Sequence, residues 1–243
     1  MSVTLYGMHY SFWTERARWS LAHHRIEHRY REHVAMLGEW ALRARAGSSE
    51  KASVPLLTDG TRSVVGSLAI MRWADEVGKG TPLQASSDAV EEWYEGLEPA
   101  MDETRRRITR AVLADQAALT EAAASAVPRF LAGLARPAAG LGARFIARKY
   151  GFDLRGPSRG DRVLEALERI RGALDGRAYL LDERFSAADI LAATFLQALR
   201  PVDHPSMPIG DATRRVWTET EMAGCYSDLL KWRDQLYARH RSP

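Results

Sequence analysis

Apolar positions in the first third of the chain are spaced as in alternating strands and helices. Val3 to Tyr6 predicts a short strand, and Phe12 to His24 predicts a helix whose apolar residues recur at intervals of four. Arg29 to Val34 predicts a second strand, which completes a β-α-β unit. A polar stretch from Gly38 to Ser53 follows, and we interpret it as the connection to the next unit.

The next segment predicts a hairpin followed by a helix. Val54 to Leu57 and Ser63 to Val65 are the strands, and Asp59-Gly60 supplies the turn. A helix begins near Ser67, keeps its apolar residues on one face, and stops at Gly78. The predicted order of elements is therefore β-α-β followed by β-β-α.

Beyond residue 80 the pattern becomes almost purely helical. Lys79 to Asp88 is rich in Gly, Pro, Ser and Thr, so we interpret it as a linker between a domain at residues 1–80 and a helical domain at residues 88–243. Pro99 is expected to kink the first helix of the second domain. Helical spacing continues through the apolar residues Val90, Trp93, Tyr94, Leu97, Met101, Ile108 and Val112.

The later helices differ in how clearly the sequence defines them. Thr120 to Tyr150 is helix-prone but interrupted by prolines and glycines. Val163 to Leu174 and Tyr226 to Leu236 give regular helical spacing. Ser186 and Asp189 form a capping box before an apolar run, which indicates a buried helix and a structural role.

Composition and charge exclude several classes of protein. Of 243 residues, 46% are hydrophobic and 27% charged, which is typical of a folded globular protein. The net charge is only +3, and the densest basic run, Arg105 to Arg107, reads as a solvated helix face, so we expect no nucleic-acid partner. A single cysteine, Cys225, excludes an internal disulfide and a CxxC redox or zinc site, and we expect no metal.

Targeting and membrane signals are missing from the pattern. Met1 leads directly into the first predicted strand without a basic and apolar leader. No stretch approaches the roughly 18 apolar residues of a membrane helix. We therefore expect a cytoplasmic protein with no membrane association.

Three short stretches in this order resemble the glutathione transferase family. The first is Leu5-Tyr6, four residues, Ser11 and then Glu15 to Arg18, which is similar to the strand, catalytic loop and basic helix of serine-type members. The second is Val54 to Leu57 followed by Ser67, Ala69 and Ile70, and the third is Tyr179 to Leu181 followed by Phe185 to Ile190. The resemblance implies a thioredoxin-like α/β domain that holds glutathione and an all-helical domain that holds an apolar electrophile.

For the thiol of glutathione, the resemblance implies activation by a hydroxyl. Ser11 lies between the first strand and the first helix, where its hydroxyl and the helix N-terminus can stabilise a thiolate. A hydrogen bond to a charged group contributes about 1.5–3 kcal/mol, enough to ionise a thiol at neutral pH without a separate base. Other members use a tyrosine, so Tyr10 is the rival; the spacing to the first strand favours Ser11. His9, Trp13 and Arg16 are further candidates to line this pocket.

For the peptide of glutathione, the resemblance implies a cis bond between Val54 and Pro55. The Val54 backbone would then pair with the cysteinyl residue as an added strand. Ser67 would bind the γ-glutamyl carboxylate at the start of its helix, although it also serves as a helix cap. The preceding position carries an acidic or amide residue in the family, but here it is Gly66, which removes one contact.

The glycyl carboxylate has a less defined partner. We assign Lys51 to this carboxylate. We interpret Arg43 and Arg45 as surface cations without a ligand. The basic or amide residue expected just before Val-Pro is replaced by Ser53.

The electrophile is expected between the domains, against Met101, Arg105 and Ile108. The family implies a homodimer, glutathione as cosubstrate and a role in detoxification. Conjugation, dehalogenation, isomerisation and peroxide reduction all remain open. From a different class, the chain could be a non-catalytic relative that binds an apolar ligand or a protein partner, since Gly66 and Ser53 remove glutathione contacts.

Overall fold

The computed structural model describes residues 2–34, 38–47, 52–124, 144–145, 148, 151, 160–181 and 183–242. A four-stranded sheet lies in the N-terminal part. Its strands and helices, in chain order, are β1 (Thr4–Gly7), α1 (Phe12–His23), β2 (Arg29–Glu32), α2 (Glu39–Ala46), β3 (Leu56–Thr58), β4 (Ser63–Val65) and α3 (Ser67–Val77).

The strands lie in the spatial order β2-β1-β3-β4. β1 and β2 are parallel, with Thr4 opposite Arg29, whereas β3 is antiparallel to both β1 and β4. A parallel pair needs a crossover, and α1 supplies it. This arrangement confirms the thioredoxin-like N-terminal domain that the sequence predicted.

Two apolar clusters cover the sheet. Helices α1 and α3 pack against each other and against Leu5 and Leu57 of the sheet, through Ala17, Leu21, Ile70, Trp73 and Ala74. A second cluster joins Leu42 of α2 to Ala52 and Leu56. Both faces of the sheet are therefore covered, which fixes the positions of the loops at its edge.

The C-terminal part contains only helices among the residues that are described. They are α4 (Asp88–Ala114), α5 (Gln116–Ala124), α6 (Asp161–Leu174), α7 (Ala187–Phe195) with a 3₁₀ turn at Leu196–Ala198, α8 (Asp211–Trp217), α9 (Thr220–Cys225) and α10 (Ser227–His240). Every residue of α7 is buried, and α7 packs against both α1 and α4, so the main core continues from one part of the chain into the other.

The capping box at α7 forms as the sequence predicts. Asp189 accepts hydrogen bonds of 2.8 Å from the backbone N–H and the hydroxyl of Ser186, and its other oxygen accepts one of 2.8 Å from the N–H of Leu180. Burial raises the pKa of the Asp189 carboxyl to about 6, against an ordinary value of 3.8. The role of these residues is structural.

Of four predictions about elements, two need correction, one stays a prediction, and one falls mostly on residues that the structure does not describe. The polar connection from Gly38 to Ser53 contains an eight-residue helix, α2, that the sequence pattern did not indicate. β2 ends at Glu32, two residues before the predicted end. Pro99 lies inside α4, which is one helix from Asp88 to Ala114, and the kink expected at Pro99 stays a prediction. Most of the segment Thr120 to Tyr150 lies outside the described residues.

Candidate functional site

Sheet register brings three chain segments to one edge of the sheet. Tyr6 near the end of β1 lies opposite Leu56 at the start of β3, and Leu56 lies opposite Val65 at the end of β4. This row of residues therefore connects directly to three segments: the loop after β1, the segment before β3 and the first turn of α3. These segments carry Ser11, Val54 and Ser67.

A tight loop connects β1 to α1 and positions Ser11. The Ser11 N–H donates to the carbonyl of Met8 over 2.8 Å, and the Ser11 hydroxyl accepts from the N–H of Thr14 over 3.4 Å as the cap of α1. The Met8 N–H donates to the hydroxyl of Thr14 over 3.2 Å. Gly7 is required here, since a Cβ at this position would lie 2.3 Å from Cγ2 of Thr14. The Ser11 hydroxyl hydrogen remains available because the cap uses only its oxygen.

Tyr10 packs against the main core beside this loop, with its ring edge-to-face to His9 at 5.1 Å between centroids. Burial, and secondarily the Glu32 carboxylate, raise the pKa of the Tyr10 hydroxyl far above its ordinary value. Tyr10 therefore keeps its proton, and it is a weak acid as a hydrogen-bond donor. Which of Ser11 and Tyr10 meets a thiol stays a prediction.

The peptide bond between Val54 and Pro55 is cis, as the resemblance implied. Pro55 is buried, and its carbonyl accepts a 2.9 Å hydrogen bond from the N–H of Gly66. The β3 ladder begins only at Leu56, and no other described residue forms a backbone hydrogen bond with Val54. The Val54 backbone can therefore accept an extended peptide.

Ser67 is the first residue of α3 and is only 1% exposed. Among the described residues, its hydroxyl has no hydrogen-bond partner and no side chain caps the helix. An unpaired buried hydroxyl is costly, and the first N–H groups of a helix attract an anion. Gly66 has a φ of +94°, with no atom within 4 Å of where its Cβ would lie. The first turn of α3 therefore presents a hydroxyl and backbone N–H groups that could bind an anion.

The cations predicted for the glycyl carboxylate are only partly described. Lys51 lies outside the described residues. Arg43 is exposed in the last turn of α2, and the Arg45 guanidinium lies 4.9 Å above the ring of Tyr6. Arg45 therefore faces the β1 side of the site, but its role stays a prediction.

The three residues predicted to meet the electrophile have different surroundings. Met101 is fully buried and Ile108 nearly so, both within the main core. Arg105 is partly exposed and pairs with Asp102, and its guanidinium lies 4.8 Å from the centre of the Trp13 ring. Of the three, Arg105 is the one brought close to the loop that carries Ser11.

An ion pair that the sequence did not indicate, between the fully buried Arg16 and the partly exposed Glu98, holds this region together. The Trp13 indole N–H donates to Glu98 over 2.8 Å, and the Arg16 guanidinium lies 2.6 Å from the same carboxylate and 3.1 Å from the Thr194 hydroxyl. Arg16 has no exposed surface, so it acts as a structural link between α1, α4 and α7. The apolar spacing of α1 predicted that the helix packs against a core, but it did not indicate that Arg16 is buried there.

Glu32 was also missed by sequence reasoning. It ends β2 and accepts hydrogen bonds from His9, in the loop that carries Ser11. The two residues are 23 positions apart, and only the register of β1 against β2, which sets Gly7 opposite Glu32, brings them together.

Other features of the described residues bear on function. No group of three or more His, Cys, Asp or Glu side chains in them is placed to hold a metal ion. None of their helices has the length and apolar character needed to cross a bilayer. Cys225 is an exposed free thiol at the end of α9.

Comparison with known proteins identifies both halves of the chain. Residues 5–82 match the family model for the N-terminal domain of glutathione S-transferases, and residues 155–235 match the model for the C-terminal domain. A sequence search of curated proteins gives no significant match.

Solved structures of low sequence identity share the fold over nearly the whole chain. A rice glutathione S-transferase in complex with glutathione has a TM-score of 0.58 at 16% identity, covering 99% of this chain and 92% of its own. An enzyme from Methylobacillus flagellatus with glutathione bound has a TM-score of 0.53 at 15% identity, covering 98% and 96%. A possible glutathione S-transferase from Rhodopseudomonas palustris has a TM-score of 0.54 at 16% identity, covering 99% and 95%. With both its domains matched in order by the family models, the chain belongs to the glutathione S-transferase family of enzymes.

Proposed function

We propose that this enzyme binds glutathione along the edge of its sheet and activates the thiol for attack on an electrophile. The observation that carries the proposal is the buried, unpaired hydroxyl of Ser67 at the uncapped start of α3. Such a group is costly in the free protein, and a carboxylate bound to it would remove that cost.

The γ-glutamyl carboxylate occupies the first turn of α3. It accepts hydrogen bonds from the Ser67 hydroxyl and from the first backbone N–H groups of the helix, where the helix dipole favours a negative charge. Gly66 leaves open space beside this position instead of a side-chain contact. Binding therefore depends on Ser67 and the helix end more than it would with an acidic or amide side chain at position 66.

The cysteinyl residue lies beside Val54. Its backbone pairs with the N–H and C=O of Val54, which have no strand partner among the described residues. Because Leu56 and Tyr6 are opposite each other in the sheet, this placement directs the thiol towards the loop after β1.

The Ser11 hydroxyl donates its hydrogen to the thiolate. The helix cap uses the oxygen of this hydroxyl and leaves the hydrogen, and the N-terminus of α1 adds positive potential. Tyr10 is the alternative donor, and burial raises its pKa, which removes much of the acidity that would make a phenol a better donor than an alcohol. Ser11 therefore has the catalytic role in this proposal.

The electrophile lies on the side of the site where the helical domain meets α1. Arg105 above the Trp13 ring offers an aromatic surface next to a cation. Met101 and Ile108 form the packed wall behind it. We propose that the acceptor is apolar. We also propose that the enzyme is a homodimer in the cytoplasm, as the family resemblance implies.

Retention on glutathione-agarose followed by a chlorodinitrobenzene assay tests the function. The wild-type enzyme is expected to be retained and to form the conjugate. Retention without formation of the conjugate would show that the protein binds glutathione but does not catalyse this reaction. A protein that is not retained at all would contradict the proposal and favour a non-catalytic relative that binds another ligand.

A further inference from the structure

A cavity of about 310 Å³ lies at the end of the N-terminal domain opposite to the loop that carries Ser11. It is bounded by His24 to Ile26, directly after α1, and by Val77 to Lys79 at the end of α3. Ser11 and Ser67 stand at the starts of the same two helices. Because a helix rises about 1.5 Å per residue, the length of α1, roughly 18 Å, separates this cavity from the site proposed for glutathione.

Apolar groups form most of the cavity wall. Trp73 of α3 is only 5% exposed, and Val3, Ile26 and Val77 complete this surface. Cavities of roughly 300–1,000 Å³ that combine apolar walls with a few polar groups are typical sites for small organic molecules. An indole ring also offers a flat surface on which another aromatic ring packs well. The size and lining therefore fit a molecule with one aromatic ring.

The imidazole of His24 brings an unpaired acceptor to this wall. Nε2 of His24 lies 2.7 Å from Asp75, whose carboxylate also accepts from the backbone N–H groups of Leu83 and Ala85 over 2.8 Å each. A carboxylate only accepts, so Nε2 carries the hydrogen and Nδ1 of the neutral ring has a lone pair. Nδ1 is buried and has no hydrogen-bond partner among the described residues.

Gly78 shows where this nitrogen lies. Gly78 is part of the cavity wall, and a Cβ on it would be 2.6 Å from Cγ of His24, the atom to which Nδ1 is bonded. An unpaired acceptor that is buried costs free energy. A hydroxyl group of a ligand that donates to Nδ1 would remove that cost.

The uncommitted charges at the cavity are positive. Arg25 and Lys79 are both exposed, and neither side chain forms an ion pair within the described part of the chain. The wall also contains Asp59, but this carboxylate is already engaged. Hydrogen bonds from the Thr61 hydroxyl and from the backbone N–H groups of Arg62 and Thr61 hold the pKa of Asp59 well below its usual range. Its other oxygen lies 3.5 Å from Nε of Arg62. The two cations therefore favour an anionic group on the ligand.

We propose that this cavity binds a small aromatic hydroxy acid, whose hydroxyl donates to Nδ1 of His24 and whose carboxylate lies beside Arg25 and Lys79. The aromatic ring packs against Trp73. The ligand is held at the ends of α1 and α3, away from the site proposed for glutathione, and the inference does not rest on the proposed function. Because the ligand binds only the folded protein, it also stabilises it by mass action.

Calorimetry with para-hydroxyphenylpropionate as the probe tests the site. Phenylpropionate lacks the hydroxyl, and tyramine carries an ammonium group in place of the carboxylate. We expect the probe to bind at one saturable site with a Kd below about 1 mM, phenylpropionate to bind about tenfold more weakly, and tyramine to show no binding. Saturating glutathione is expected to leave the Kd of the probe unchanged within about twofold.

Two variants test the location without touching the buried histidine. Val77→Trp fills the mouth of the cavity from a position that is 50% exposed, and we expect it to weaken probe binding at least about tenfold. The matched control is Leu164→Trp, at a position on α6 that is 43% exposed. Lys79→Ala is expected to weaken probe binding about threefold, while Lys231→Ala, at an exposed position on α10, leaves it unchanged.

A wild-type protein that does not bind the probe would overturn the inference. Equal affinity for the probe and for either phenylpropionate or tyramine would overturn it too, as would displacement of the probe by glutathione or unchanged binding in Val77→Trp. A protein that binds the probe but no glutathione would instead overturn the proposed function and support this inference, so the two failures are distinguishable.

Discussion

Trp13 of α1 donates its indole N–H to the carboxylate of Glu98 in α4 over 2.8 Å. The same carboxylate pairs with Arg16, which has no exposed surface. One residue of the helical domain therefore fixes both an aromatic ring beside the loop that carries Ser11 and a buried cation. Loss of this carboxylate is therefore expected to lower the stability of the protein and to change the geometry of the candidate site.

Removing Glu98 leaves the Arg16 charge buried beside the rings of Trp13 and Tyr94, with the Thr194 hydroxyl as its remaining hydrogen-bond partner among the described residues. We expect Glu98→Ala to lower the free energy of unfolding by about 2 kcal/mol, less than the roughly 3–5 kcal/mol typical of a fully buried pair, because the Glu98 side chain is 26% exposed. Glu92→Ala is the matched control, since Glu92 is also on α4 and pairs with an arginine, Arg169, but its side chain is 78% exposed. That control is expected to cost less than about 1 kcal/mol in urea unfolding. Equal losses would contradict the role of Glu98.

Ser67→Ala separates stability from binding. The substitution removes a buried hydroxyl that has no partner, so the free protein is expected to become more stable by about 1 kcal/mol. Glutathione affinity is expected to fall at least about tenfold, because a hydrogen bond to a carboxylate is lost. In the control Ser87→Ala the hydroxyl caps α4 by accepting from the Val90 N–H, so stability falls by about 1 kcal/mol and binding is unchanged. A Ser67→Ala protein that is less stable with unchanged affinity would refute this account.

The close approach of Gly7 to Thr14 can be tested by adding one methyl group. Gly7→Ala puts a carbon against Cγ2 of Thr14 and is expected to cost about 1–3 kcal/mol and to lower kcat by displacing the Ser11 loop. Thr14→Ser in the same chain removes that methyl group, keeps the hydroxyl that accepts from Met8, and should recover part of both losses. Gly172→Ala, where no atom lies within 4 Å, is expected to stabilise α6 by about 0.5–1 kcal/mol. No recovery in the double variant would argue against the contact.

The raised pKa of Asp189 predicts a specific pH dependence of stability. Burial makes the folded state hold a proton on this carboxyl from about pH 6 downward, while the unfolded chain takes it up only near 3.8. The folded state therefore binds more protons between these values, and the contribution of Asp189 to stability rises as the pH falls from about 7 to 4.

Asp189→Asn has no proton to bind at this position and loses acceptor capacity for the Ser186 and Leu180 N–H groups. We expect the stability difference between wild type and Asp189→Asn to increase by up to about 1.4 kcal/mol for each pH unit below 6. Urea unfolding of both proteins at matched pH values measures it. A difference that shrinks with falling pH would show that the sign is wrong.

Sequence patterns predicted the order of the strands and most helices because apolar spacing is a local property. The helix α2 was missed since Leu42 is the apolar residue it buries, while its large apolar residue, Trp40, faces solvent. In the candidate site, the motifs suggested Ser11, Val54 and Ser67, and the structure brings the segments that carry them to one edge of the sheet. Glu32 could not, because its contact with His9 depends on the register of two strands.

The central claim is that bound glutathione is held as a thiolate by Ser11, and the ultraviolet absorbance of the thiolate at neutral pH tests it most directly. The account predicts that glutathione added to the wild-type enzyme and to Tyr10→Phe gives the thiolate signal, and that Ser11→Ala binds glutathione with the signal lost. A thiolate signal of full size in Ser11→Ala, or none in the wild-type complex, would contradict it.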